Sequence, residues 1–219
     1  MPLAGEPRGR IRVGAWAGII GPTLFVATFT LEGWLRPGYD PAHTFVSALS
    51  LGPRGWVQIV NFLVTGAAFL VLARGLAAQF PDGTASRWGP RLLAIVGAAL
   101  VGSGPFVMDP MGTLFPAMSL HSKVHSILGA LVFSLGPASS FVLARRFRSD
   151  PSWRSMYHWT LAAGFVMTAA VILLKIATLP PPAPPSALYA WAGLIQRVAL
   201  VALMGWVVSV GLAMLRRSR

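Results

Sequence analysis

The segment 109–125, DPMGTLFPAMSLHSKVH, places ionisable side chains between two long apolar runs. It holds Asp109, His121, Lys123 and His125, in a chain with only six acidic residues and four histidines. On a helix, His121 and His125 would share one face and lie about 6 Å apart along the axis. Two histidines and a carboxylate can hold zinc and leave a fourth position to water. One interpretation is therefore a zinc site formed by His121, His125 and Asp109.

A zinc-bound water would be a nucleophile near neutral pH, able to attack a lipid or lipid-linked substrate. Glu32 or His43 could replace Asp109 as the third ligand. Asp109 and Ser47 are the catalytic candidates of this interpretation, although no Gly-x-Ser-x-Gly turn surrounds Ser47. The other interpretation is that the two histidines of the segment only hydrogen-bond groups at the membrane interface. Both stay open, and zinc is the one cofactor that the residues suggest.

The composition shows what kind of molecule carries these residues. Of 219 residues, 55% are hydrophobic and only 11% are charged, whereas soluble domains have about 25% charged residues. Successive apolar runs approach the roughly 20 residues that cross a bilayer. The formal charge of +12 resides in short blocks between these runs, which argues against nucleic acid as a partner. The chain has no cysteine, which excludes disulfides and thiolate chemistry.

We predict an all-α fold, a polytopic bundle of six transmembrane helices with both termini inside the cell. Residues 1–12 and 216–219 form cytoplasmic tails around one transmembrane domain, 13–215. Between the first two spans, the segment 36–55 is too polar to cross, and we expect an interfacial loop with one or two helical turns on the membrane surface. The predicted spans are 13–31, 56–76, 92–108, 124–143, 159–179 and 188–214.

The placement of the basic residues decides the orientation. With the N-terminus inside, thirteen of the eighteen basic residues fall on the inner side and three on the outer side. We therefore expect a multi-pass protein of the inner (cytoplasmic) membrane, with membrane lipids as partners. Trp34, Trp56 and Trp191 would then form an outer aromatic belt, and Trp88 and Trp153 would belong to the inner one.

This topology brings most polar groups that are not loop charges to the outer half of the bundle. Gln58, Asn61 and Thr65 lie on one face of the second span, which we expect to point into the bundle. Arg197 lies about 13 Å deep in the sixth span, where it could clamp an anion or pair with Glu32 or Asp109. The predicted ligand-binding residues are Glu32, Tyr39, His43, Ser47, Asn61 and Arg197.

The chain also resembles a known family at several of these positions. The turn Arg36-Pro-Gly-Tyr39 with His43, the segment Ser47-Ala-Leu-Ser50, and Asp109 ahead of a histidine-containing helix start are similar to the domain-of-unknown-function 998 family. The resemblance covers nearly the whole chain. It implies six spans in a bacterial or archaeal membrane protein, and it implies no established activity.

Two function hypotheses follow from the residues. The first is a non-enzymatic membrane protein that binds or moves a small or lipidic ligand through an outward-facing polar pocket. The alternative is a metal-dependent membrane hydrolase that acts on a lipid or lipid-linked substrate at the outer leaflet. The sequence leaves open whether the protein is an enzyme.

Overall fold

The computed structural model describes residues 6–179 and 187–218, and this part of the chain is helical without strands. Residues 1–5 and 219 of the predicted tails lie outside it, and residues 6–12 already belong to the first helix. Short 3-10 helices occupy Val46–Ser50, Phe115–Ala117, Arg154–Met156 and Ala187–Trp191. The long helices are α1 (Glu6–Leu35), α2 (Gly55–Gln79), α3 (Thr84–Ser103), α4 (Leu120–Ser149), α5 (Tyr157–Ala177) and α6 (Ala192–Arg217).

The six long helices form a closed ring. Each packs mainly on its two neighbours in the chain, and α1 and α6 close the circle. The helices alternate in direction, so the start of α1 and the ends of α2 and α6 meet at one end of the ring. Arg10, Arg74, Arg87 and Arg217 belong to this end, which we call the inner end in keeping with the predicted orientation. The opposite, outer end carries the segment 36–54.

Five of the long helices are long and apolar enough to cross a membrane: α1, α2, α4, α5 and α6. The predicted count of six is therefore one too high by this measure. α3 falls short because it begins with the polar turns that carry Arg87 and Arg91, and it ends at Ser103 instead of residue 108. It still runs beside α2 and α4 for 20 residues, about 30 Å.

Close backbone contacts between glycines hold the ring together. A Cβ added at Gly14 would lie 2.7 Å from the Cα of Gly75, and one at Gly66 would lie 2.5 Å from the carbonyl oxygen of Gly97. Small residues at such crossings let membrane helices approach closely. Gly14 therefore serves the packing of α1 on α2.

The exposed fractions of the tryptophans agree with one predicted aromatic belt and correct the other. Trp34 is 82% exposed and Trp56 64%, as an outer belt requires. Trp153 is only 1% exposed, so its place in the inner belt was wrong. Its ring stacks on Phe147 and lies under the guanidinium of Arg217, which fastens the α4–α5 connection to the end of α6.

Candidate functional site

The segment 36–54, which we call the outer loop, begins with a tight turn. The amide of Tyr39 donates to the carbonyl oxygen of Arg36, with Pro37 and Gly38 as the central residues. Gly38 has φ +73°, which glycine adopts without the steric cost of a side chain. Proline followed by glycine is typical of a type II turn, so the local sequence dictates this reversal after α1.

The outer loop carries the 3-10 helix Val46–Ser50, which we call the plug helix. All five of its residues are buried, and it packs against α1, α2 and α6. The guanidinium of Arg36 donates to the carbonyl oxygens of Leu49 at 2.8 Å and Leu51 at 3.0 Å. The predicted helical turns exist, but they lie inside the outer end of the bundle instead of on the membrane surface. Their apolar residues fill the ring, and Arg36 satisfies carbonyls at the helix end.

Arg197 of α6 fixes the outer loop from the other side. Its Nη1 donates to the carbonyl oxygens of Pro41 at 2.6 Å and Thr44 at 2.9 Å, and its Nη2 donates to the hydroxyl of Tyr39. Neither predicted carboxylate partner, Glu32 or Asp109, contacts it in the part of the chain that the structure describes. Arg197 is therefore a clamp on carbonyl oxygens rather than a member of an ion pair.

Tyr39 links this clamp to the plug helix. Its hydroxyl donates to the carbonyl oxygen of Phe45 at 3.0 Å, directly before the plug helix. Burial raises the pKa of the Tyr39 phenol, although the nearby Arg197 charge acts against this. The phenol therefore stays protonated at neutral pH and keeps its donor role.

Three further contacts seat the outer loop on the start of α6. The side-chain oxygen of Gln196 accepts from the amide of Val46 at 2.7 Å. His43 Nδ1 donates to the carbonyl oxygen of Tyr189 at 3.2 Å. A Cβ on Gly193 would lie within 3 Å of the backbone of residues 41–44, so the loop rests directly on this glycine.

Glu32, a predicted ligand-binding residue, pairs instead with Arg54 at the far end of the outer loop. Its two carboxylate oxygens accept from Arg54 at 2.5 and 3.1 Å. The Glu32 side chain is 6% exposed, whereas that of Arg54 is 57% exposed. The bidentate pair neutralises the carboxylate at the end of α1 and joins both ends of the loop.

Asp109 caps α4. Its carboxylate accepts from the amide of Ser119 at 2.7 Å and from the Ser119 hydroxyl at 2.9 Å. Ser119 is the N-cap residue, and its hydroxyl oxygen also accepts from the amide of Ser122. A serine N-cap of this kind stabilises a helix by about 1 kcal/mol. The carboxylate is thus engaged by the helix start.

The predicted metal site receives no support from this geometry. Within residues 6–179 and 187–218, no group of three or more histidine, aspartate or glutamate side chains could hold a metal ion. His121 stacks obliquely on Phe106, whereas His125 Nδ1 donates to the carbonyl oxygen of Phe106 at 2.7 Å. The spacing of four residues brings both histidines close to Phe106. One ring packs on the Phe106 side chain, whereas the other is hydrogen-bonded to its backbone.

His125 faces a cavity in the outer half of the ring. The cavity measures about 40 Å³ and is lined by polar groups of four elements, with Phe62 and Leu200 among the apolar ones. By the usual requirement of 10–15 Å³, it has room for about three water molecules. None of the described residues that line it carries a charged side chain. The polar lining residues are Ser47 of the plug helix, Ser103 of α3, His125 of α4 and Gln196 of α6.

The polar face of α2 does not reach this cavity. The amide nitrogen of Asn61 donates to the backbone oxygen of Phe25 in α1 and to the side-chain oxygen of Gln58. Gln58 and Thr65 are fully buried, as expected of a face inside the bundle. Asn61 therefore joins α1 to α2, and the residue on α2 that lines the cavity is Phe62.

The structure brings together only some of the predicted site residues. Tyr39, His43, Ser47 and Arg197 meet in and around the outer loop, whereas Glu32, Asp109 and Asn61 each have a separate structural partner. Sequence reasoning did not assign Gln196 or Ser103 to a site. Gln196 gave a signal, since a polar amide next to Arg197 within an apolar span is costly unless both have partners.

The family assignment rests on most of the chain. A family model described as "Protein of unknown function (DUF998)" matches residues 19–213. The chain belongs to the DUF998 family. The match contains all six long helices in whole or in part, together with the outer loop and the cavity. No curated protein and no solved structure matches the chain.

This assignment and the five apolar helices together establish a multi-pass integral membrane protein. The resemblance noted at the Arg36 turn, the plug helix and Asp109 is thereby confirmed at the level of the family. The DUF998 description carries no activity, so chemistry has to be argued from the cavity itself.

Proposed function

We propose that this DUF998 protein is a non-enzymatic binding protein whose outer cavity holds a small, neutral, polar ligand. The observation that carries the proposal is the convergence of Ser47, Ser103, His125 and Gln196 on one cavity inside a membrane bundle. Polar residues inside a membrane span are costly and tend to be functional. The absence of charged lining residues favours an uncharged ligand over an ion.

The lining offers both donors and acceptors to such a ligand. His125 Nδ1 donates to a carbonyl oxygen, so a neutral imidazole keeps Nε2 as an acceptor. The oxygen of the Gln196 amide is used by Val46, which leaves the amide NH₂ group as a donor. A ligand that both donates and accepts, such as a small alcohol or amide, matches this pair.

The plug helix supplies the route into the cavity. Val46 and Ser47 line the cavity, so displacing the plug helix would open it toward the outer end. Arg36 and Gln196 hold the plug helix and Arg197 holds the loop before it, through polar contacts that can be exchanged for water at the outer end. Opening on the outer side follows from the bias of basic residues toward the inner end.

Filling the cavity tests this proposal. Adding a Cβ to Gly129 of α4, which lines the cavity, would meet no atom within 4 Å, so Gly129→Leu occupies the ligand space without a backbone clash. A Cβ on the exposed Gly205 of α6 would also meet no atom within 4 Å, but Gly205 does not line the cavity. Gly205→Leu is therefore the matched control. Thermal unfolding in detergent would be screened against a set of small neutral alcohols, amides and polyols.

We expect at least one compound class to raise the unfolding temperature of the wild type and of Gly205→Leu. In Gly129→Leu the half-maximal effect should require at least about ten times more compound, since its site is filled. Equal responses of both variants would overturn the assignment of the cavity. The absence of any response across the whole set would overturn the binding function.

A further inference from the structure

A second cavity lies at the inner end, between α2 and α3. It is a groove of about 400 Å³ that opens at the surface of the bundle. Arg74 of α2 and Arg87 and Arg91 of α3 line it, together with Ser86. Leu70 and Ala94 continue the groove toward the apolar middle of the helices. This groove is separate from the cavity of the proposed function.

The charges of the groove are unbalanced. Arg74, Arg87 and Arg91 are all exposed, and none of them makes an ion pair with another described residue. Arg87 and Arg91 are four residues apart on one helix, where like charges repel each other. Asp82, the acid in the preceding loop, does not line the groove. An anion in the groove would relieve this repulsion.

Ser86 is a second and independent indication of an anion. The residue is 1% exposed, lines the groove, and its hydroxyl has no hydrogen-bond partner in the described ranges. Leaving a buried hydroxyl without a partner is unfavourable, because its hydrogen bonds to water are lost on burial. A change of side-chain rotamer toward the groove would let it donate to a ligand oxygen there.

The start of α3 adds donors of the same kind. Gly83 is the N-cap residue and has no side chain to accept from the first-turn amides, which lack partners within the helix. The first turn of a helix also carries a partial positive charge, which favours phosphate groups. Ser86 lies in this first turn and also lines the groove, so the partial positive charge of the helix start adds to that of the arginines.

We propose that this groove binds the phosphate of an anionic phospholipid, with its acyl chains along Leu70 and Ala94. The groove lies at the end where the basic residues cluster, which the predicted orientation places at the anionic cytoplasmic leaflet. The arginines line one part of the groove and aliphatic side chains line the next. A phospholipid needs this order, because its charged headgroup is followed by an acyl chain. A free phosphate would use the arginines but not the apolar part.

The test compares three probes on the purified protein in detergent: short-chain phosphatidylglycerol, phosphatidylcholine of the same chain length, and inorganic phosphate. We expect phosphatidylglycerol to raise the unfolding temperature most. Arg74→Gln/Arg87→Gln should need at least about tenfold more of it for the same shift, because each arginine near a lipid surface contributes about 1 kcal/mol. Arg145→Gln/Arg154→Gln, which removes two exposed charges at the same end, should respond like the wild type.

Ser86→Ala keeps the proposal testable if the double variant fails to fold. Removing an unpaired buried hydroxyl should not lower the stability of the lipid-free protein, yet it should weaken the phosphatidylglycerol effect. Equal responses of wild type, Ser86→Ala and the arginine variant would overturn the site. Equal protection by inorganic phosphate would overturn the assignment to a lipid.

Discussion

Replacing Arg197 by methionine should lower the free energy of unfolding by about 1.5–3 kcal/mol, the range for hydrogen bonds that involve a charged group. The change removes the donor to the carbonyl oxygens of Pro41, Thr44 and Gly193 and to the Tyr39 hydroxyl. The Thr44 carbonyl oxygen and the Tyr39 hydroxyl, both half-buried, then lose their charged donor. Thermal or denaturant unfolding in a mild detergent measures the loss.

Two variants separate the clamp from the charge. Arg197→Lys keeps the positive charge but lacks the planar fork that reaches several carbonyls at once, so we expect it to recover only part of the stability. Arg145→Met removes an exposed arginine of α4 and should change stability by less than about 0.5 kcal/mol. Arg197→Met with wild-type stability would show that the outer loop does not depend on this clamp.

Replacing Gly66 by valine should destabilise the bundle by about 3 kcal/mol or more, at or beyond the upper end of the range for overpacked cores. Its Cβ would lie 2.5 Å from the carbonyl oxygen of Gly97 and 2.6 Å from the amide nitrogen of Val101. Both are backbone atoms of α3, so no side-chain rotation relieves the clash and the helices have to separate. The yield of monodisperse protein and its unfolding temperature report the effect.

The matched control is Gly205→Val, the same substitution in an exposed part of α6 where a Cβ meets no atom within 4 Å. It introduces the same β-branched residue into a helix and should leave stability nearly unchanged. If both variants unfold at the same temperature, the close crossing of α2 and α3 is not a source of stability.

Much of the fold could be read from the sequence because its signals are local. Apolar runs of the length of a bilayer mark the helices, and the spacing of Gly14 and Gly18 indicates a close helix crossing. The helix count was less secure, since α3 carries Arg87 and Arg91 in its first turns and is apolar only beyond them. α3 takes its place in the bundle by packing against α2 and α4.

The partners of the polar residues could not be read in the same way. His121 and His125 have the spacing of a metal site, but ligation depends on the direction of each ring, which here follows from Phe106. Asp109 and Ser119 are ten residues apart and meet only because the chain turns back before α4. Trp153 shows the same limit, since a tryptophan beside a span fits either the membrane interface or the space between helices.

The burial of the plug helix in the outer end is the central claim, and single-cysteine labelling tests it most directly because the chain has no cysteine of its own. Ser47→Cys probes the plug helix, which is 8% exposed at this residue, and Ala117→Cys probes an exposed turn at the same end. A membrane-impermeant maleimide would be added from the outer side of intact cells.

We predict that Ser47→Cys reacts slower than Ala117→Cys by a factor on the order of ten or more, because labelling has to await local opening. Adding Arg197→Lys should remove most of this difference. Labelling of Ser47→Cys as fast as Ala117→Cys with Arg197 intact would contradict the buried plug helix and, with it, the covered cavity.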